Sequence, residues 1–260
     1  MLKISAFITL IILNALVLHQ VLISHKVIRK NYFTIGMFTL LSLPILYIEN
    51  YWTIIIANFL LVLIINELMD LSRSNNTQKE IFNSSFLAGL MSVIHFSFGI
   101  YYLLIIFFLG YYKNNNLKNF ITQNMGFLVP FIIVYSILFF IQPDHNFLNK
   151  NAILPSNAFY KHIASYTLMI FITILACIEI VYNFHKKKIT SKKLFVIIGI
   201  IIILSLCPIL IWNLRQFAYL AIIPITVCMT NYLIYAKHIR FRTFLVGLWI
   251  VLFLFEFLKI

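Results

Sequence analysis

The sequence predicts an all-α fold, a polytopic integral membrane protein with about ten transmembrane helices. Apolar residues make up 62% of the 260 residues and charged residues only 10%, whereas soluble domains carry about 25% charged residues. The Lys and Arg residues lie in short loops between apolar runs, where membrane proteins place them to set orientation. Because no polar segment is long enough for a separate soluble domain, we predict a single polytopic transmembrane domain over residues 1–260.

The N-terminal part predicts three spans followed by a polar loop. The first apolar run is followed directly by His25, Lys26, Arg29 and Lys30. We interpret it as a retained helix, since a signal peptide has a shorter apolar region and a cleavage site of small residues. The predicted spans are Ile4–Ser24, Phe33–Ile48 and Tyr51–Met69, and the polar loop is Asp70–Glu80.

The stretch Ile81–Tyr112 decides the topology of the rest of the chain. Its 32 residues include no Lys, Arg, Asp or Glu, and one helix of that length would extend roughly 48 Å, against a hydrocarbon core of about 30 Å. We therefore predict two short helices, 81–94 and 97–111, that meet near His95. With this break, 15 of the 20 Lys and Arg residues lie on one side, whereas one helix gives 9 against 11. The positive-inside rule favours the break, with the Lys-rich loops in the cytoplasm.

The second half of the chain predicts five further spans and a short surface helix. The spans are Phe127–Ile141, His162–Tyr182, Leu194–Leu210, Phe217–Tyr235 and Thr243–Leu258, and the surface helix is Asn119–Gln123. Both termini then lie outside. An outside N-terminus without a preceding helix is unusual, which leaves open a further helix before residue 1.

Small residues repeat along the first of the two short helices at the spacing of one helix face. Such a face lets another helix approach closely. We interpret it as a packing surface rather than a substrate site. The residues are Ser84, Ser85, Ala88, Gly89 and Ser92.

Two acidic side chains, Glu67 and Glu179, lie inside predicted spans or at their ends, where ionisable groups are costly and often functional. Both are close to a helix end, so we interpret them as interfacial groups. Glu179 precedes the lysines Lys186–Lys188, and we expect it to pair with that cluster.

Two stretches carry a family resemblance. They are LMDLSRSNNTQKEIFNSSFLAGLMSVIHFSFGIYYLLIIFF, followed after a polar loop by NMGFLVPF, and FAYLAIIPITVCMTNYLIYAKHIRFRTFLVGLWIVLFLF. Over most of Ile48–Phe255 the chain resembles an uncharacterised family of Bacteroidota inner-membrane proteins, domain of unknown function family 6427. The resemblance implies an inner-membrane location in a Gram-negative envelope. The family has no assigned activity or catalytic residues, so it assigns none to this chain. Members tend to begin with an additional apolar segment, from which this chain departs. The marker residues are Leu71, Ser72, Ile81, Phe82, Gly126, Pro130, Pro224, Asn231 and Tyr232.

The sequence lacks the motifs of several classes of site. It has no Walker motif, G-x-G-x-x-G, H-E-x-x-H or G-x-S-x-G. Cys177, Cys207 and Cys228 stand alone in apolar runs without metal-ligand spacing. We therefore predict no cofactor and no metal. The net charge of +13 lies in loops, so we expect membrane lipid as a partner and no nucleic acid.

Glu49 and Arg215 are the candidate catalytic residues if the protein is an enzyme. In the ten-span topology both lie at the outer face. The Arg would bind the phosphates of a lipid-linked diphosphate bidentately, and the carboxylate would act as general base or metal ligand. Multipass glycosyltransferases are similar in outline, a fold-level analogy, but their D-x-D or E-x-D pair is absent here.

Three functions remain open at this point. The first is a non-enzymatic membrane subunit or scaffold in cell-envelope biogenesis at the inner membrane, with other membrane proteins as partners. The second is a glycosyltransferase-like or polymerase-like enzyme that acts on a lipid-linked glycan at the periplasmic face. The third is a transporter or flippase, for which broken helices are typical, although no internal repeat is visible.

Overall fold

The computed structural model describes residues 2–47, 51–73, 77–112, 116–141, 163–212, 217–235 and 239–258. Within these ranges the chain is helical and contains no β-strand, which confirms the all-α prediction for this part of the chain. The α-helices are α1 (Leu2–Ser24), α2 (Phe33–Ser42), α3 (Tyr51–Leu71), α4 (Gln78–Ile94), α5 (Tyr102–Tyr111), α6 (Leu117–Ile141), α7 (Ile163–Tyr182), α8 (Ile189–Trp212), α9 (Phe217–Leu220), α10 (Ile222–Tyr235) and α11 (Ile239–Leu258). Short 3₁₀ helices cover Leu43–Tyr47, Phe96–Tyr101 and Phe184–Lys186.

Several of these helices have the length and the apolar composition of membrane-spanning helices. Within the described ranges, five segments are long and apolar enough to cross a membrane: Ser5–Ser24, Tyr51–Leu71, Leu117–Ile137, Ile189–Leu210 and Phe217–Tyr235. Shorter apolar helices lie at Phe33–Ile45, Phe96–Tyr111 and Thr167–Tyr182. The number of ten spans is not established by these criteria and stays a prediction.

The chain divides into two compact units, each built from segments that are far apart in sequence. Unit 1 comprises Met1–Glu49, Ile153–Lys192 and Ala221–Ile260, and unit 2 comprises Asn50–Ala152 and Lys193–Leu220. Because segments of the two units alternate along the chain, no single boundary separates them in sequence. The prediction of one domain over residues 1–260 stays a prediction.

In unit 2, α4 packs closely along α6 and also against α3. Two glycines permit the contact with α6. A methyl group on Gly89 would collide with the Phe127 carbonyl oxygen and lie 2.9 Å from Pro130 Cγ. A methyl group on Gly126 would lie 2.8 Å from the Phe82 carbonyl oxygen. The two helix backbones are therefore in near contact, as in helix pairs with small residues at the interface.

The predicted break in the central stretch lies at His95. This residue is extended (φ −153°, ψ 119°) and ends α4, and the following 3₁₀ helix and α5 pack back against α4. At the other end of this hairpin, Lys193 Nζ donates a 3.4 Å hydrogen bond to the Ser72 carbonyl oxygen and lies 5.1 Å from the centroid of the Tyr112 ring. The end of α5 thus returns to the segment that precedes α4, so the chain reverses direction.

Buried polar side chains in unit 2 bond to neighbouring helices. The hydroxyl groups of Tyr101 and Ser205 are 2.8 Å apart, and both residues are completely buried. Asn58 Nδ2 donates a hydrogen bond of 3.3 Å to the Tyr219 carbonyl oxygen. Since an unpaired polar group in hydrocarbon costs several kcal/mol, these bonds make the polar side chains part of the packing.

In unit 1, α10 is the central helix. It packs against α2 and α7, and α11 packs against α7. Nearly all residues of α10 are buried, as is Trp249 of α11. The thiols of Cys177 on α7 and Cys228 on α10 are close enough to interact by a hydrogen bond. Two cysteines that stand alone in sequence are therefore neighbours across a helix–helix contact.

Some predicted helix boundaries are wrong. Asn119–Gln123 is not a separate surface helix, because α6 continues through it and buries Asn119 and Gln123 (6% and 1% exposed). The helices α8 and α11 also begin before the predicted spans, at Ile189 and Ile239. The helices extend past their apolar runs because the backbone hydrogen bonds of a helix also form in the polar residues that flank such a run.

Replacing Gly89 with alanine should destabilise unit 2, because the added methyl group collides with α6. We expect a loss of about 1–3 kcal/mol, the usual cost of overpacking. The measurement is the melting temperature of the detergent-solubilised protein, followed by size-exclusion chromatography. Gly199→Ala is the matched control, since a methyl group there has nothing within 4 Å and alanine favours a helix by about 1 kcal/mol. Equal melting temperatures for the two variants would contradict the close contact.

Mild oxidation of the membrane-embedded protein should join Cys177 to Cys228, because their thiols are neighbours across the α7–α10 contact. Tryptic digestion after treatment with copper phenanthroline should yield a disulfide-linked pair of peptides that carry these two cysteines, detected by mass spectrometry. Cys228→Ser must abolish this pair. Recovery of both cysteines only as unlinked peptides from oxidised wild type would contradict the proximity of the two thiols.

Candidate functional site

A cavity of about 290 Å³ opens in unit 2 where α3 ends and α4 begins. Three of its lining residues are carboxylates, from a chain that contains only seven acidic residues. In a protein with a formal net charge of +13, this is a marked concentration of negative charge. We call the lining residues the carboxylate pocket: Glu67, Asp70, Arg73, Lys79, Glu80 and Asn83.

Two helix ends position the carboxylates. Glu67 and Asp70 are three residues apart on the last turns of α3, so they share one helix face. Glu80 and Asn83 have the same spacing on the first turns of α4. Because α3 and α4 pack together, the two faces meet, and Asn83 Nδ2 donates a 3.4 Å hydrogen bond to Glu67 Oε2. The pocket thus forms where the end of α3 meets the start of α4.

Internal interactions stabilise part of this negative charge. Asn66 Nδ2 donates a 3.1 Å hydrogen bond to Asp70 Oδ2. Glu80 lies in the first turn of α4, where the helix dipole favours a negative charge. Glu80 Oε2, however, is shielded from solvent and accepts no hydrogen bond. This oxygen therefore has unused capacity to accept a hydrogen bond.

The arrangement can bind a small cationic group by charge and hydrogen bonding. Arg73 and Lys79 are exposed beside the same cavity, so the pocket as a whole carries both signs of charge. Its volume lies at the lower limit of the roughly 300–1,000 Å³ of cavities that hold drug-sized ligands. Within the described ranges no group of His, Cys, Asp and Glu could hold a metal ion. An ammonium or guanidinium group is therefore the chemistry that the pocket fits best.

The two predicted catalytic residues, Glu49 and Arg215, lie outside the residues that the structure describes. Their role as an outer-face pair stays a prediction. The other acidic groups proposed to be interfacial are described: Glu67 lines the carboxylate pocket, and Glu179 interacts electrostatically with Lys187 in unit 1.

The small-residue face of α4 lies inside unit 2. Gly89 contacts α6, and a methyl group on Gly99 of the 3₁₀ helix would collide with Ser92. These neighbours belong to the same chain, so the face serves internal packing. All five residues of the face are buried: Ser84, Ser85, Ala88, Gly89 and Ser92.

The carboxylate pocket was not predicted as a site. Its signal in the sequence is a pair of acidic residues three apart at the end of one apolar helix, followed after a short polar turn by a third acid at the start of the next. From its position in the sequence alone, Glu67 is interpreted as a group at the membrane interface. Only the packing of α3 against α4 brings Glu80 to the same cavity.

Comparisons of this chain with protein families, with curated proteins and with solved structures find no match. By its fold, the described part of the chain is an α-helical protein with helices long and apolar enough to cross a membrane, and it has a polar pocket at a helix end. The resemblance to domain of unknown function family 6427 stays a prediction.

Proposed function

We propose that the protein is a non-enzymatic membrane subunit that binds a partner protein within a cell-envelope complex of the bacterial inner membrane. The carboxylate pocket carries this proposal. Glu67, Asp70 and Glu80 surround an open cavity of about 290 Å³ at a helix end, and Glu80 Oε2 has no internal donor. The side chain of one Lys or Arg from a partner supplies the missing donor. Charge-assisted hydrogen bonds of this kind are about twice as strong as neutral ones.

The interior of unit 2 supports a structural role over transport. Its buried hydroxyl pair, Tyr101 and Ser205, is used for bonding between helices. Transporter sites typically use helices that are interrupted near the midplane and then continue across the membrane. The chain here reverses at His95 and returns along α4 instead. The geometry favours binding at the helix ends over passage of a substrate through the unit.

We also propose ten membrane crossings, with the Lys-rich loops in the cytoplasm. The contacts of Lys193 support this topology. Lys193 contacts Ser72 and Tyr112, and these two residues border two other loops that the ten-span topology also places in the cytoplasm. The 17 residues of α4 extend about 25 Å, and the 3₁₀ helix with α5 about 27 Å. Each arm of the hairpin is thus somewhat shorter than the hydrocarbon thickness of about 30 Å. We also propose that the chain is a member of the Bacteroidota family, domain of unknown function family 6427.

Cysteine labelling in cells with a permeabilised outer membrane tests this topology. In a variant without native cysteines, Phe96→Cys should react with a membrane-impermeant maleimide, because Phe96 is 73% exposed at the tip of the hairpin. Lys118→Cys should react only after the inner membrane is disrupted, since it borders a cytoplasmic loop. The opposite pattern of labelling would invert the proposed topology.

Photo-crosslinking tests the proposed partner site. A photoreactive amino acid in place of Lys79, which is exposed at the pocket, should capture a membrane protein of defined mass, identified by mass spectrometry. Adding the Glu80→Gln substitution should reduce the yield of the crosslinked product about tenfold, since a hydrogen bond to a charged group contributes about 1.5–3 kcal/mol.

The conservative variant Glu80→Asp is the control for that experiment, because it keeps the carboxylate and should retain most of the crosslink. Capture that is equal for Glu80→Gln and Glu80→Asp would show that the pocket charge does not bind the partner. Purification in lipid nanodiscs as a monomer without any crosslinked protein would contradict the proposal of a subunit.

A further inference from the structure

A second cluster of charged and polar groups lies in unit 1, at the ends of α7 and α10. Lys187 Nζ donates a 3.0 Å hydrogen bond to Asn231 Oδ1 and lies 5.2 Å from the centroid of the Tyr235 ring. Lys187 is half-buried, and Asn231 is 1% exposed. Lysine side chains usually remain in solvent, so this ammonium group is held in place by a buried amide and an aromatic ring.

The orientation of the Asn231 amide follows from its partner. An ammonium group can only donate hydrogen bonds, so the amide must present its oxygen to Lys187 and its nitrogen elsewhere. Asn231 Nδ2 is buried and has no hydrogen-bond acceptor. A buried donor without an acceptor is unfavourable, so it favours binding of a group that can accept its hydrogen bond. The amide thus offers a donor beside a fixed positive charge, the pairing that an anionic oxygen requires.

The surrounding charges are mainly positive. Arg242 of α11 and Lys187 both interact electrostatically with Glu179, the acidic group of this cluster among the described residues. Burial lowers the pKa of Lys187, and Glu179 opposes that effect. Other cations of the same segments add to the positive charge: Lys186, Lys188, Lys192 and Arg240. One carboxylate does not neutralise this set, so an incoming anion would be stabilised.

We propose that Lys187, Arg242 and the Asn231 amide bind the phosphate group of an anionic phospholipid headgroup. The cluster lies at the ends of the apolar segments Thr167–Tyr182 and Phe217–Tyr235. Asn231 is about one helical turn before the end of the second segment, and Lys187 and Arg242 lie beyond the two segments, so the cluster is at the boundary where headgroups lie. Tyr235 at the end of α10 is typical of the aromatic residues at that level, and basic clusters beside membrane spans attract anionic lipids. The site is independent of the carboxylate pocket and of any partner protein.

Binding of phosphatidylglycerol to the delipidated, detergent-solubilised full-length chain tests the site. We expect phosphatidylglycerol to bind and to raise the melting temperature, with phosphatidylcholine and inorganic phosphate giving no comparable shift. Native mass spectrometry of the same samples gives the occupancy. A shift with inorganic phosphate equal to that with phosphatidylglycerol would overturn the assignment to a lipid headgroup.

Two variants separate a built site from general attraction to a basic surface. Asn231→Asp keeps an oxygen for Lys187 but removes the amide donor and adds a negative charge. It should bind phosphatidylglycerol about tenfold more weakly, as for loss of a hydrogen bond to a charged group, while remaining folded by size-exclusion chromatography. Lys118→Gln removes one exposed positive charge outside this cluster, at the start of α6 in unit 2, and should bind nearly as wild type does. Equal binding by wild type, Lys187→Gln and Asn231→Asp would overturn the proposal.

Discussion

The close contact between α4 and α6 is the constraint on which unit 2 depends. At Gly89 and Gly126 no side chain separates the two helices, so atoms of one backbone lie directly against the other. Lipid tails are as apolar as the helices, so such packing, rather than removal of apolar surface from water, drives helix association in a membrane. With α4 held in this position, the reversal at His95 places α5 beside it and leaves the connection between α3 and α4 at the end of the hairpin.

Charged groups in both units gather at helix ends, whereas buried polar groups between helices are neutral. Tyr101 with Ser205, and Asn58 with a backbone oxygen, exemplify the second kind. Ionisable groups are costly in hydrocarbon and less so near water. The carboxylate pocket and the Lys187 cluster follow this rule with opposite charge, which is why we assign a cationic group to one and an anionic group to the other.

The candidate sites were only partly predictable. Glu67 and Glu179 can be identified from the sequence as ionisable groups near helix ends, and Lys187 lies within electrostatic range of Glu179. The convergence of Glu80 on Glu67 and the burial of Asn231 beside Lys187 were not predictable. Both depend on which faces of separate helices meet, and apolar runs such as these show no strong periodicity that would mark a face.

Two features could be predicted from the sequence: the class of protein and the break in the central stretch. Hydropathy and length set the first, since the bilayer imposes a minimum apolar length on any spanning helix. Charge distribution and the excess length of residues 81–112 set the second. The packing of the helices was needed to show that the small-residue face of α4 is covered by the same chain. It was also needed to show that cysteines and acidic residues distant in sequence are neighbours. These outcomes arise from contacts between residues distant in sequence, which composition and spacing do not encode.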